Sequence, residues 1–144
     1  MRVVKWTGLT FLGLFLVAQL LPYGHSHTNP AVSQEAPWAT PLARRLAVDA
    51  CYDCHSNQTN WRWYSFVAPA SWWVANHVKD GRRALNFSEW DRPQQLGELR
   101  DSVIEGSMPP RYYTLVHPAA RLSRNEREAL ARALDALSAR APRG

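Results

Sequence analysis

The chain has 144 residues, of which 46% are apolar, enough for one small domain and too few for two. Its net charge is +5, but Arg2 and Lys5 stand ahead of an apolar run, which leaves +3 for the remainder. That excess is nearly all arginine and is scattered along the chain, which argues against nucleic-acid binding, where a basic face or segment is needed.

Residues 1–23, MRVVKWTGLTFLGLFLVAQLLPY, place a basic start before an apolar stretch from Trp6 to Leu21. This is the layout of an export signal or an N-terminal membrane anchor. Leu20, Leu21 and Pro22 make a poor cleavage site, so the expectation is an uncleaved single span in the inner membrane. Arg2 and Lys5 would stay inside, with the rest on the periplasmic side; cleavage would instead release an exported soluble protein. Residues 24–41, GHSHTNPAVSQEAPWATP, hold three prolines and no apolar period, and read as a flexible linker. His25 and His27 within it suggest no specific role.

Residues 42–144 form the expected domain. Leu42, Leu46 and Ala50 repeat at a spacing of four and carry one helical face into CYDCHSN at 51–57. SNQTNWRWYSFVAP follows as an aromatic loop. A second helix is predicted from near Pro69 through SWWVANHVKD, with Gly81 as its C-terminal cap. LNFSEWD is a loop, and RPQQLGELRDSVIE is a third helix with Leu96, Leu99, Val103 and Ile104 on one face and Gly106 at its end. The prolines of SMPPRYY forbid helix continuation. A last helix begins at Ser123 with Glu126 completing a capping box, and buries Leu130, Leu134 and Leu137. No stretch alternates like a strand, and no glycine-rich phosphate loop occurs. The expected fold is all-α.

Cys51 and Cys54 are the only cysteines. A disulfide across so short a loop would constrain little of the unfolded chain. A thioredoxin-type pair needs a strand before it, and zinc needs further ligands that this spacing does not supply beyond His55 and a distant His77. What remains is C-x-x-C-H, the attachment pattern of c-type haem. Two thiols form thioethers with the haem vinyl groups, and His55 is held beside one face as an axial iron ligand. Met108, in G-S-M-P-P, is the first candidate for the opposite position. His77 is its rival, and His117 in L-V-H-P is a further possibility. Arg82, Arg83 or Arg111 could pair with the haem propionates. Trp61, Trp63, Tyr64, Trp72 and Trp73 could wall the haem edge or simply pack.

The run CYDCHSNQTNWRWYSFVAPASWWVANHVKDGRRALNFSEW, then MPPRYYTLVHPAARLS, resembles a small bacterial haem-binding domain family related to c-type cytochromes. Its phrases CHSN, WYS, NFSEW and MPPxYY are more specific than CxxCH alone, and they cover roughly residues 42–137. The resemblance implies a small cytochrome-like helical domain with one covalent haem c on Cys51 and Cys54, His55 as proximal ligand and Met108 as distal ligand. The function expected is that of a membrane-tethered periplasmic monohaem cytochrome, passing single electrons to redox partner proteins at the membrane rather than acting as an enzyme. The alternative is a haem-based sensor or peroxidase-like protein with an open or displaceable distal position.

Overall fold

The computed structural model describes residues 2–141. Its helices are α1 (Arg2–Gln19), α2 (Pro41–Ala50), α3 (Tyr52–His55), α4 (Ala70–Ala84), α5 (Leu99–Ile104), α6 (Arg111–Val116) and α7 (Arg124–Ser138), with 3-10 turns at Trp63–Phe66 and Pro118–Ala120. No strand occurs among the described residues; an isolated parallel bridge pairs Gln34 with Glu89. The fold is all-α, as the sequence predicts. It divides into two compact units, one of residues up to Thr28 with Trp61–His77, the other of Asn29–Asn60 with the chain from Val78 onward.

In the second unit, α2 starts because the Thr40 side chain accepts from Ala43 N at 3.1 Å and Pro41 sits in the first turn, where its missing N–H costs nothing. Its buried face is Ala43, Leu46, Ala47 and Ala50. Leu42 is exposed instead of sharing that face, one position off the expected stripe. Helix α7 opens with the Ser123–Glu126 capping box and buries Leu130, Ala131, Leu134 and Leu137 against α5 and α2. Each fully buried leucine there contributes roughly 2 kcal/mol.

Two predicted helices have different bounds. α4 runs through Gly81 to Ala84, so that glycine is not a cap. The third helix shrinks to Leu99–Ile104, and Ile104 is exposed rather than buried. The cause lies in residues 92–95, whose hydrogen bonds go elsewhere. Gln95 N donates to Ala84 O at 3.0 Å, Gln94 Oε1 accepts from Asn86 N at 2.9 Å, and the Arg92 guanidinium binds Glu89 and the Arg82 carbonyl. A helix would have to break all of these. Gly106, at φ +76°, follows the end of α5 as expected. After Met108 the chain re-enters a helix sooner than predicted, at Arg111.

Residues 29–40 are not a loose linker. Ala36 N donates to Phe87 O at 2.8 Å, Trp90 N to Gln34 O at 2.8 Å and Ser33 N to Ser88 O at 3.1 Å. Ala36 is buried in the core with Leu46, Tyr52, Phe87 and Trp90. Trp38 Nε1 donates to Tyr52 Oη at 2.8 Å.

In the first unit, α1 ends on a side-chain clasp. The Gln19 amide accepts from Ala68 N at 2.9 Å and donates to Ala68 O at 3.1 Å. His27 lies against Trp61 and Phe66, with its Nε2 2.7 Å from Ser65 O. Among the described residues no helix is long and apolar enough to cross a membrane. This corrects the expected single span: α1 has eighteen residues, at the short end of what spans a bilayer, and is not apolar enough. Lys5, Thr7, Thr10 and Gln19 dilute the apolar run further.

Candidate cofactor site

The cysteine motif is built as a continuation of α2. Cys51 N donates to Ala47 O at 2.8 Å, and the next turn closes with Cys54 N at 3.1 Å and His55 N at 2.9 Å from Cys51 O. That turn places Cys51 and His55 four residues apart on one side, and both line the same cavity. Cys54 sits within the turn, and its carbonyl abuts Gly81 of α4.

His55 is held by the end of α4. Its Nδ1 lies 3.0 Å from Gly81 O and 3.2 Å from Leu85 O. Both partners are carbonyls and can only accept, so Nδ1 carries the hydrogen and Nε2 keeps its lone pair for a metal. Burial pulls the His55 pKa below its ordinary 6.5, against the opposing pull of the two carbonyls, and favours that neutral ring. Gly81 makes the approach possible. A Cβ there would collide with the Cys54 carbonyl oxygen and lie 3.0 Å from its carbon, and α4 would have to withdraw from the histidine that it orients.

A buried polar network ties CHSN to NFSEW. Phe87 N donates to His55 O at 2.8 Å. Asn57 N donates to Ser88 Oγ at 3.0 Å, and Asn57 Nδ2 reaches Ala31 O at 3.0 Å and Glu89 Oε1 at 2.9 Å. Asn86 Nδ2 donates to Asn57 Oδ1 at 2.8 Å, while Asn86 Oδ1 accepts from Ser88 N at 3.0 Å. Asn57, Asn86 and Ser88 are all buried, so each bond replaces one that water would otherwise provide. Arg82 belongs to this framework. Its Nε donates to Ser56 O at 2.8 Å, and its terminal nitrogen to Thr59 Oγ1 at 2.8 Å and Asn29 Oδ1 at 3.0 Å.

The cavity measures about 360 Å³, within the range of small-molecule sites. Ala84, Leu85, Phe87, Leu99, Val103 and Leu134 give it apolar walls, and Cys51, His55 and Met108 open onto it. Phe87 is backed by a near-parallel Tyr52 at 5.6 Å and Trp90 at 6.1 Å. Met108 is 40% exposed, and its N–H donates to Ser102 O at 2.9 Å. Cys51 and Cys54 are not bonded to each other. Burial, helped by the neighbouring thiol, pushes Cys51 up to about 12. Burial, with Asp53 adding and Arg82 subtracting, pushes Cys54 to about 11. Both are neutral thiols at neutral pH.

Three of the predicted site residues, Cys51, His55 and Met108, therefore meet at one cavity. His77 does not line it; its Nδ1 lies 2.8 Å from Trp73 O and its ring 4.1 Å from the Trp73 ring. His117 is buried, stacked on Tyr113 at 3.9 Å, and does not line the cavity either. The propionate role expected of Arg82 gives way to its bonds with the motif loop. Arg83 pairs with Asp80 at 3.1 Å on the surface, and Arg111 is exposed at the first turn of α6. Trp61, Trp63, Tyr64, Trp72 and Trp73 lie in the first unit and do not line the cavity; the aromatic wall is Phe87. Gly81, Asn57, Asn86 and Ser88 escape a reading by periodicity, although the phrases CHSN and NFSEW contain three of them.

The donor set discriminates among metals. A neutral imidazole, a thioether and one thiol on an apolar cavity, with the Cys54 thiol one turn away in the motif and not lining it, suit a haem c. No group of three or more His, Cys, Asp or Glu that could hold a metal ion occurs among the described residues. A family profile described as a haem-binding domain matches residues 13–136. Neither the curated proteins nor the solved structures offer a match.

Proposed function

The chain belongs to the haem-binding domain family, and we propose that it is an exported monohaem c-type cytochrome that transfers single electrons. The observation that carries this reading is the pair His55 and Met108 on one cavity, the first with Nδ1 donating to carbonyls and Nε2 left for iron. The haem supplies a one-electron iron couple, whose potential a His/Met ligand pair raises.

The roles of the chain's own residues follow from their chemistry. Cys51 and Cys54 would hold the cofactor through thioethers, so that it would stay bound in both oxidation states. His55 would hold the iron through Nε2, and Met108 would offer its sulfur from the same cavity. Leu85, Phe87, Val103 and Leu134 exclude water along the walls, which tunes the potential. Such a protein needs no catalytic acid or base. The basic start and apolar run of residues 1–23 support export, placing the domain in the periplasm with redox proteins as its partners.

Replacing Met108 tests the reading. The ferric protein is expected to be low-spin, with a weak near-infrared Met–Fe(III) band that disappears in Met108→Ala and persists in His77→Ala. A wild-type ferric protein that is high-spin and binds small ligands readily would instead favour a sensor or peroxidase-like protein. Met108 is partly exposed, which makes that comparison informative.

A further inference from the structure

We infer that Tyr113 is a positioning residue for the distal ligand, its hydroxyl latching the Met108 segment onto the cysteine motif through Asp53. The inference rests on the reading of Met108 as an iron ligand, and it concerns how long that ligand stays in place.

Met108 is held from two directions. Upstream, its own N–H and the Ser107 hydroxyl both donate to Ser102 O, at 2.9 and 3.1 Å. Downstream, the chain turns at Pro110 into α6, and Tyr113 Oη donates to Asp53 Oδ2 at 2.7 Å. That bond spans 60 residues and lands between Cys51 and Cys54, the two cofactor-bearing positions. Asp53 is itself fixed: Oδ1 accepts from Asn60 N at 2.9 Å, and its carbonyl from Thr59 Oγ1 at 2.9 Å. The Tyr113 ring is also set, lying within 11° of parallel to the buried His117 ring at 3.9 Å.

α6 needs such an attachment. It has six residues and none of them is buried, too few to hold a helix in place by themselves. A hydroxyl donating to a carboxylate is among the stronger hydrogen bonds. Losing it would loosen the downstream end of the Met108 loop, leaving α6 to the Arg121 bonds with Thr114 O and Leu115 O at 2.7 and 2.9 Å, while the His55 ring keeps its two α4 carbonyls.

Imidazole uptake by the ferric, haem-loaded full chain tests the latch, because imidazole reaches the iron only after Met108 leaves. Tyr113→Phe keeps the ring and its stacking on His117 and removes only the hydroxyl. It should take up imidazole about tenfold faster or more, with a weakened Met–Fe(III) band. The acceleration should vanish in an Asp53→Ala background, where the partner is already gone. Wild-type uptake by Tyr113→Phe, in a protein whose wild type shows the band, overturns the latch and leaves Met108 as ligand. So does an undiminished Tyr113→Phe acceleration in the Asp53→Ala background. A wild type that lacks the band and takes imidazole as fast as Met108→Ala overturns the ligand reading and the latch together. Should Tyr113→Phe fail to accumulate, Asp53→Ala against Asp53→Asn reads the same latch from its other end. Faster uptake in the alanine variant supports it, and equal rates overturn it.

Discussion

The two sides of the cavity are built to different standards. On the His55 side, the ring is oriented by two α4 carbonyls, its backbone oxygen is bound by Phe87 N, and the residues that follow it lie in a buried network of Asn57, Asn86 and Ser88. On the Met108 side, the ligand candidate is 40% exposed and hangs between the Ser102 carbonyl and a helix of six residues. The imidazole is thus positioned by the fold, while the thioether depends on local contacts that can be exchanged. In the proposed haem protein, ligand exchange at the iron would take place on the Met108 side.

The contrast can be broken by substitution. The largest effect is expected from Asn57→Ala, which strips the partners from Asn86 Nδ2, Ala31 O and Glu89 at a residue only 2% exposed. It should cost about 3 kcal/mol, seen in urea unfolding of the haem-loaded protein; a change within error would mean that the network does not stiffen the motif. Gly81→Ala comes next. It forces α4 from Cys54 and should cost about 2 kcal/mol, while lowering the haem content of the purified protein. Full haem content with unaltered stability would show that the close approach is dispensable.

A smaller effect belongs to the start of α7. The Ser123 hydroxyl and backbone N–H donate to Glu126 Oε2 at 2.7 and 2.8 Å and hold that carboxyl below its ordinary 4.5. A carboxyl depressed in the folded state binds fewer protons there than when unfolded. Its contribution is therefore full above pH 4.5 and lost as pH falls through the lower folded value. Ser123→Ala should lower the melting temperature at neutral pH by less than Gly81→Ala does, and the deficit should shrink in acid; a deficit constant with pH would contradict the cap. Smallest of all is Leu115→Ala on α6, 72% exposed. It should change unfolding stability by no more than about 0.5 kcal/mol, and a loss approaching that of Asn57→Ala would erase the contrast between the two sides.

What the sequence made legible was local. The helical face that leads into the cysteine motif, the Ser123–Glu126 box and the buried leucines of α7 all act within one or two turns, where spacing and chemistry determine the outcome. Bonds between distant segments were not legible. Asn57 and Asn86 meet across 29 residues, and neither lies in an apolar period that would flag it. The same blindness made residues 29–40 look like a linker, since their order comes from backbone bonds to residues 87–90 that no composition reveals. Gly81 read as a cap because glycine commonly ends helices, yet its use here is to bring α4 against Cys54. Arg82 read as a propionate partner because its charge was visible and its acceptors, Ser56 O and Thr59 Oγ1, were not.

The central claim is that Cys51 and Cys54 carry one haem covalently. The intact mass of the denatured full chain, made in cells competent for c-type haem attachment, tests it most directly. The wild type should carry the mass of one haem, and Cys51→Ala/Cys54→Ala should carry none. A wild-type chain that sheds its haem on denaturation, or a double variant that keeps it, would contradict the account.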